Sequence, residues 1–186
     1  MPSRIAETDP EQARRFRELA LPHLDAVYTL ARYLLRDASD ADDAVQECYL
    51  RALKHFHTYQ GPAIKPWLFA ILRNVCNAEY ARRAHAPSTG ADELPENAEQ
   101  APLWHEAEET PEAAMVKRHD VGTIRRLIAA IAEPFRETLV LREIENLSYR
   151  EISEVADVPV GTVMSRLARA RAMLRSAWLA EQEKTK

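Results

Sequence analysis

The chain has 186 residues, of which 46% are apolar, so it can form one folded domain or two small ones. Only four glycines occur, and the abundance of Ala, Leu, Arg and Glu favours helices. No stretch approaches the roughly 18 apolar residues of a membrane span, and 1–9 do not resemble a signal peptide. Cys48 and Cys76 lack a paired spacing, which predicts reduced thiols in a cytoplasmic protein.

The formal net charge of −4 is unevenly distributed along the chain. Residues 1–84 carry 12 basic and 11 acidic side chains, and 117–186 carry 13 basic and 10 acidic ones. By contrast, 85–116 carry eight acidic side chains, four prolines and neither Lys nor Arg. This composition predicts a flexible acidic linker between two slightly basic domains, which we place at 13–84 and 117–178.

The first predicted elements are one or two core helices over 14–35, where apolar residues recur at helical spacing. Another helix is expected to begin near Ser39, which with Asp42 forms a helix-start pattern, and to end near His55. Its outward side carries three polar residues and one leucine: Asp43, Gln46, Glu47 and Leu50. A solvated acidic face is an ordinary feature of helices, whereas an exposed leucine among acids indicates a docking surface. Both interpretations remain open.

A loop at 55–62 ends with Gly61-Pro62, and the next helix is predicted over about 65–83. Its inward side consists of apolar residues: Trp67, Leu68, Ile71, Leu72, Val75 and Ala78. Its outer side combines aromatic, basic and amide side chains: Phe69, Arg73, Asn77 and Tyr80, with Asn74 beside them. Such a combination stacks on unpaired bases and holds phosphates, which predicts a nucleic-acid surface. A core position for Phe69 is the alternative.

The sequence offers little for catalysis or for a cofactor. His55-x-His57 with Cys48 and Cys76 fits no zinc-ligand spacing, so no metal is expected. No nucleophile–base pair or phosphate-binding loop occurs, which disfavours an enzyme. Trp104, inside the acidic segment, leaves two interpretations open: a residue that docks on a domain or partner, and a solvated side chain.

The last predicted unit is a helix-turn-helix. Ser148 and Glu151 form a capping box before a short helix, and 157–159 break the chain. The second helix buries Val163, Leu167, Ala170 and Leu174, while its other side carries Thr162, Ser165, Arg166 and Arg169. Arginines and hydroxyls near the start of a second helix are typical of a helix that enters the DNA major groove. A helical hairpin with a solvated basic face is the alternative.

Several stretches together resemble bacterial sigma factors of the extracytoplasmic-function (ECF) group. The residues that carry the resemblance are 42–47, 65–74, 133–136, 147–152 and 160–166. The likeness covers roughly 20–83 and 117–178, in the family's order. It implies an all-helical protein of two small domains that performs no covalent chemistry.

The resemblance implies that the first domain binds the β′ clamp helices of core RNA polymerase. Asp43, Gln46 and Glu47 match the family's polymerase-contact motif, and Leu50 lies on the same side of that helix. The acidic surface then has a basic partner.

The same resemblance assigns melting of the minus-ten promoter element to the 65–83 helix. Trp67 and Leu68 stand where the family has its melting dyad, and the 55–62 loop corresponds to the loop that captures a flipped base. The remaining predicted contacts to this element are Phe69, Arg73, Asn74, Asn77 and Tyr80.

The helix-turn-helix resembles the domain that recognises the minus-thirty-five element and contacts the polymerase β flap. Its predicted DNA contacts are Thr162, Ser165, Arg166, Arg169, Arg171 and Arg175. Many relatives carry a basic residue where this sequence has Met164, which predicts different phosphate contacts or promoter preference. The linker resembles the segment that threads toward the RNA exit path.

The resemblance further implies an anti-sigma factor as a partner, a cytoplasmic location and no small-molecule substrate. An alternative from another class is a helix-turn-helix regulator whose N-terminal half is a sensor or dimerisation module.

Overall fold

The computed structural model describes residues 10–85 and 111–184, with side chains over 10–82 and 121–183, and its regular elements there are all helical. The helices are α1 (Pro10–Ala20), α2 (Leu24–Leu35), α3 (Ala38–His55), α4 (Ile64–His85), α5 (Pro111–Ala130), α6 (Phe135–Leu139), α7 (Tyr149–Ala156) and α8 (Val160–Lys184). Shorter helical turns are formed by Leu21–His23, Phe56–Thr58 and Val140–Ile144, the last of them π-helical. The predicted all-helical class is confirmed for these ranges.

The predicted acidic linker falls largely on 86–110, outside the described residues, and so does Trp104. α5 begins at Pro111, inside the range predicted as linker, and the predicted domain boundaries stay a prediction. A proline suits the first turn of a helix, where its missing N–H has no intrahelical acceptor in any case.

The start of α3 also differs from the prediction. Asp37 caps this helix, because its backbone is extended and its carboxylate accepts a hydrogen bond from the Asp40 N–H at 3.0 Å. Ser39 instead lies in the first turn. The sequence 37–43 contains several acids and one serine, and any of them can cap a helix. The chain path out of α2, through Arg36 at φ 65°, selects Asp37.

The first domain contains a cluster of aromatic side chains around the loop between α3 and α4. Phe16 meets Phe56 edge to face with ring centroids 5.3 Å apart, and Phe56 stacks on Tyr59 at 5.9 Å. Tyr59 lies 5.3 Å from the half-buried Trp67. Aromatic pairs at such separations contribute roughly 0.5–1.5 kcal/mol each beyond the area they bury. The cluster therefore holds the 56–63 loop against the start of α4.

The predicted helix-turn-helix is confirmed. The Ser148 side chain accepts a hydrogen bond from the Glu151 N–H, and the Glu151 carboxylate accepts one from the Ser148 N–H at 2.8 Å. Asp157 ends α7 in the left-handed conformation at φ 51°, and α8 begins three residues later. Five of the side chains predicted to face the core are buried: Ile152, Val155, Val163, Leu167 and Ala170. The sixth, Leu174, is half-buried.

The two domains pack directly on each other, with α4 against α7 and α2 against α6. Lys65 of α4 binds the Glu145 carboxylate at 2.9 Å, and Arg73 of α4 binds the Glu137 carboxylate at 2.7 Å. Apolar side chains of both domains join one continuous buried cluster. One face of α4 is thus enclosed by the second domain.

Candidate functional site

The predicted docking face of α3 lies on the molecular surface. Asp43 and Gln46 are exposed, and Glu47 is half-exposed and forms an ion pair with Arg51 at 2.5 Å. Leu50 on the same face has 64% of its surface exposed. The opposite face of the helix packs into the core through Ala44, Val45, Cys48 and Ala52. The predicted outward orientation is confirmed, and the contact role of these residues stays a prediction.

The predicted melting dyad points inward, as its helical position requires. Leu68 is fully buried, and its carbonyl accepts a hydrogen bond from the Cys48 thiol at 3.5 Å. Trp67 is half-buried in the aromatic cluster. Of the side chains predicted to face inward on α4, Ala78 is instead exposed.

The predicted outer face of α4 divides into an open part and a covered part. Asn74 and Asn77 are exposed, and Tyr80 has 39% of its surface exposed, with its hydroxyl donating to the Leu34 carbonyl. Phe69 is fully buried, so its predicted exposure is wrong. Arg73 is largely covered, with 22% of its side chain exposed.

The covered part of α4 has a physical explanation in the second domain. Lys65, Phe69 and Arg73 follow one another at intervals of four residues, which places them on one stripe of the helix. Lys65 and Arg73, at the two ends of the stripe, bind carboxylates of the second domain. Phe69 lies between them, and the Lys65 ammonium sits 5.5 Å from its ring centre. The stripe is therefore an outer surface of the first domain that the second domain conceals.

Glu137 binds one predicted DNA-contact arginine, Arg73, and lies within the influence of the charge of a second, Arg166. Burial raises the pKa of the Glu137 carboxyl, and the nearby charges of Arg73 and Arg166 lower it in part. Arg73 approaches from α4 and Arg166 from α8. Nothing in the local sequence around Glu137 or Glu145 signals these contacts, because their partners lie far away in the chain.

The start of α8 exposes two of its four predicted DNA contacts to solvent. Ser165 and Arg169 are exposed, Thr162 is half-buried, and the Ser165 hydroxyl donates to the Thr162 carbonyl at 3.0 Å. Arg166 is half-buried, so the predicted exposed pair of Arg166 and Arg169 is wrong for Arg166. Its Nη1 atom is buried without a hydrogen-bond partner in the described part of the chain. Met164 has 54% of its surface exposed.

Two arginines lie further along α8. Arg171 is about half exposed and binds the Glu143 carboxylate at 2.6 Å. Arg175 is exposed, as predicted. Arg175 is therefore available to a phosphate, whereas Arg171 must first exchange its carboxylate partner.

The two cysteines are structural rather than reactive. Both are free and buried, and burial raises the pKa of Cys48 and of Cys76 to about 12. A thiol with so high a pKa stays protonated at neutral pH, and only the thiolate binds metals or attacks electrophiles. None of the helices in the described ranges combines the length and apolar character that a membrane crossing requires.

The fold and these surfaces define the class of helical DNA-binding proteins that carry a C-terminal helix-turn-helix. Two family models match this chain, one after the other: Sigma-70 region 2 at 19–86 and Sigma-70 region 4 at 122–174. The RNA polymerase sigma-H factor of Pseudomonas aeruginosa is 33% identical over 167 residues, covering 88% of this chain and 86% of the relative. The ECF RNA polymerase sigma-E factor of Escherichia coli K12 is 34% identical over 145 residues, covering 76% and 74%.

The chain therefore belongs to the ECF sigma factors, the transcription initiation factors that bind core RNA polymerase and promoter DNA. The region 2 match over 19–86 replaces the alternative of an N-terminal sensor or dimerisation module.

Solved structures share the fold. One is the sigma factor RpoE in complex with the anti-sigma factor NepR from Bartonella quintana, with a TM-score of 0.69, 22% identity and coverage of 89% and 97%. Another is CnrH in complex with the cytosolic domain of CnrY, with a TM-score of 0.61, 24% identity and coverage of 90% of each chain.

Proposed function

We propose that this sigma factor uses three separate surfaces: α3 for core polymerase, α4 for the minus-ten element and α8 for the minus-thirty-five element. It carries out no covalent chemistry of its own, and it acts in the cytoplasm on the polymerase that it binds. Promoter melting is driven by binding energy, because contacts to flipped bases offset the few kcal/mol that unstacking costs at each base step. An anti-sigma factor is proposed as the partner that restrains it.

The observation that carries the polymerase assignment is the exposure of Leu50 among acids on α3. Leu50 has 64% of its surface exposed, so most of its apolar surface is available to a partner on the same face as the three polar residues. Asp43, Gln46 and Glu47 border it with negative and polar groups. Such a surface fits a partner helix that offers basic side chains around an apolar position, which is the arrangement we propose for the β′ clamp helices.

The assignment is tested by reversing the charge of Asp43 and Glu47 together. Like charges facing each other across an interface cost several kcal/mol, so Asp43→Lys/Glu47→Lys should weaken core-polymerase binding by at least about tenfold. The matched control is Glu18→Lys/Asp25→Lys, which changes the net charge equally at exposed positions of α1 and α2. Affinity is measured by fluorescence anisotropy with labelled factor. Equal affinities of the two double variants for core polymerase would show that the α3 surface is not part of the interface.

For α4, the exposed Asn74, Asn77 and Tyr80 are the immediate contacts to the melted strand. Tyr80 offers a ring for stacking, and the two amides offer donors and acceptors to base edges or phosphates. We propose that Phe69 and Arg73 join them once the second domain leaves α4. Trp67 then acts by holding the 56–63 loop in the shape that receives a base.

For α8, we propose that Ser165 and Arg169 contact base edges and that Arg175 contacts a phosphate. The first two lie near the start of the helix, which is the end that enters the major groove in helix-turn-helix proteins. Thr162, Arg166 and Arg171 complete the surface. Met164, exposed beside Ser165, offers an apolar contact suited to a thymine methyl group in place of a phosphate contact.

A further inference from the structure

The concealed stripe of α4 has the charge pattern of a nucleic-acid surface and is paired with a surface of opposite charge. Lys65 and Arg73 supply two positive charges, with the Phe69 ring between them. Two carboxylates of the second domain bind these charges: Glu145 lies 2.9 Å from the Lys65 ammonium, and Glu137 lies 2.7 Å from the Arg73 guanidinium. Carboxylate oxygens at these distances occupy the position that phosphate oxygens take beside Lys and Arg in a nucleic-acid complex.

We propose that the packed arrangement of the two domains is a self-inhibited form, in which Glu137 and Glu145 occupy the strand-binding stripe of α4. This regulation rests on the function proposed for α4. Single-stranded DNA and the second domain compete for the same three side chains, and Phe69 has no surface left for a base to stack on. The free factor therefore binds single-stranded DNA only in the fraction of molecules whose domains have separated.

The Lys65–Glu145 pair is the better latch to manipulate, because Glu145 is assigned no promoter or polymerase contact and its replacement leaves the three side chains of the stripe unchanged. The Lys65 ammonium donates both to the Glu145 carboxylate and to the Glu145 backbone carbonyl, at 2.9 and 3.0 Å. The Lys65 side chain is 27% exposed and that of Glu145 only 5%. Glu145→Lys therefore places two positive charges against each other at the domain boundary and favours opening. The exchanged pair Lys65→Glu/Glu145→Lys restores the attraction.

Opening is measured by energy transfer between dyes on Lys54→Cys and Ser176→Cys, which lie on exposed positions of α3 and α8. The buried native thiols do not compete for the dyes. Strand binding by the free factor is measured on the same variants with a fluorescein-labelled oligothymidylate, because base stacking tolerates any sequence. Glu154→Gln on α7 is the control, since it removes an exposed acid from the helix that packs on α4.

Glu145→Lys should lower the transfer efficiency and tighten oligothymidylate binding, while Glu154→Gln changes neither. If one molecule in ten is open in the native protein, full opening tightens the apparent dissociation constant about tenfold. The exchanged pair should return the transfer efficiency to the native value, which also excludes loss of folding as the cause. An unchanged efficiency in Glu145→Lys, or a lowered efficiency without tighter strand binding, overturns the proposal.

Promoter-dependent transcription by the native holoenzyme separates this proposal from the one on which it rests. Holoenzyme that initiates normally, with no response of the free factor to Glu145→Lys, refutes self-inhibition alone. A free factor that opens and binds strands as expected, with holoenzyme unable to melt a promoter, refutes the role of α4 in melting instead.

Discussion

Arg136 is the residue whose replacement should destabilise this protein most clearly. It is 2% exposed, and one terminal nitrogen donates to the carbonyls of Ala129 and Ile131 at 3.0 and 3.1 Å. The other donates to the Leu34 carbonyl at 3.2 Å and pairs with the Glu133 carboxylate at 2.8 Å. Ala129 lies in the last turn of α5 and Ile131 directly follows the helix, a place where carbonyls lack intrahelical partners and a cation is favourable.

Arg136→Ala removes the donor for both of these carbonyls and leaves the Glu133 carboxylate without this partner. The Leu34 carbonyl loses less, because the Tyr80 hydroxyl also donates to it. Hydrogen bonds from a charged donor contribute about 1.5–3 kcal/mol each. Loss of the ion pair with Glu133, whose side chain is 34% exposed to solvent, costs less than the ~3–5 kcal/mol of a fully buried pair. We therefore expect the free energy of unfolding to fall by about 3–5 kcal/mol and the melting temperature by roughly 10 °C.

The assay is urea unfolding of the full chain followed by circular dichroism. Arg136→Lys should lie between the alanine variant and the native protein, because an ammonium cannot reproduce the planar fork of the guanidinium. The exposed Arg175→Ala should stay within about 0.5 kcal/mol of the native value and serves as the control. A loss below about 1 kcal/mol for Arg136→Ala would show that water satisfies these carbonyls and would refute the reasoning.

Three further outcomes are expected. Tyr80→Ala and Asn77→Ala should impair open-complex formation more than holoenzyme assembly. Tyr80→Phe keeps the ring, whose stacking contributes about 1–3 kcal/mol per base, and should therefore retain promoter melting. Equal losses in both assays would show that these residues have a structural role instead. Arg169→Ala should relax promoter preference at one or two positions, while Arg175→Ala should weaken all sequences equally and flatten the salt slope by about one; a promoter-library competition at two salt concentrations distinguishes them. Ser148→Ala should lower the stability by about 1 kcal/mol through loss of the α7 cap, measured by thermal unfolding, and an unchanged melting temperature would contradict the cap assignment.

Much of the fold follows from local patterns in the sequence. The Ser148–Glu151 capping box, the spacing of Val163, Leu167 and Ala170, and the break at 157–159 each act over a few residues, and all are present in the structure. The exposed face of α3 was predictable for the same reason. A helix that buries one side in its own domain must turn the other side outward, so the period of the apolar residues decides the orientation.

Local patterns also left some choices open among neighbouring residues. Several acids precede α3, and the extended backbone at Asp37 selected the cap rather than any difference in capping strength. In the same way, the composition of the acidic segment indicated a linker but not its boundary, and α5 begins at Pro111.

Only the tertiary structure decided which outward-facing residues remain accessible. The sequence by itself placed Phe69 and Arg73 on the outer side of α4 and Arg166 on the outer side of α8. The direction is correct for the first two relative to their own domain, whereas Arg166 is half-buried inside the second domain to which it belongs. The second domain covers the first two, and Arg166 lies close to Glu137 and is half-buried. Helical period specifies the direction of a side chain relative to its own helix axis, whereas burial depends on what another part of the chain places in that direction. Glu137 and Glu145 lie far from α4 in sequence. The periodicity of α4, or of the segment that carries these two residues, therefore cannot predict that they come into contact.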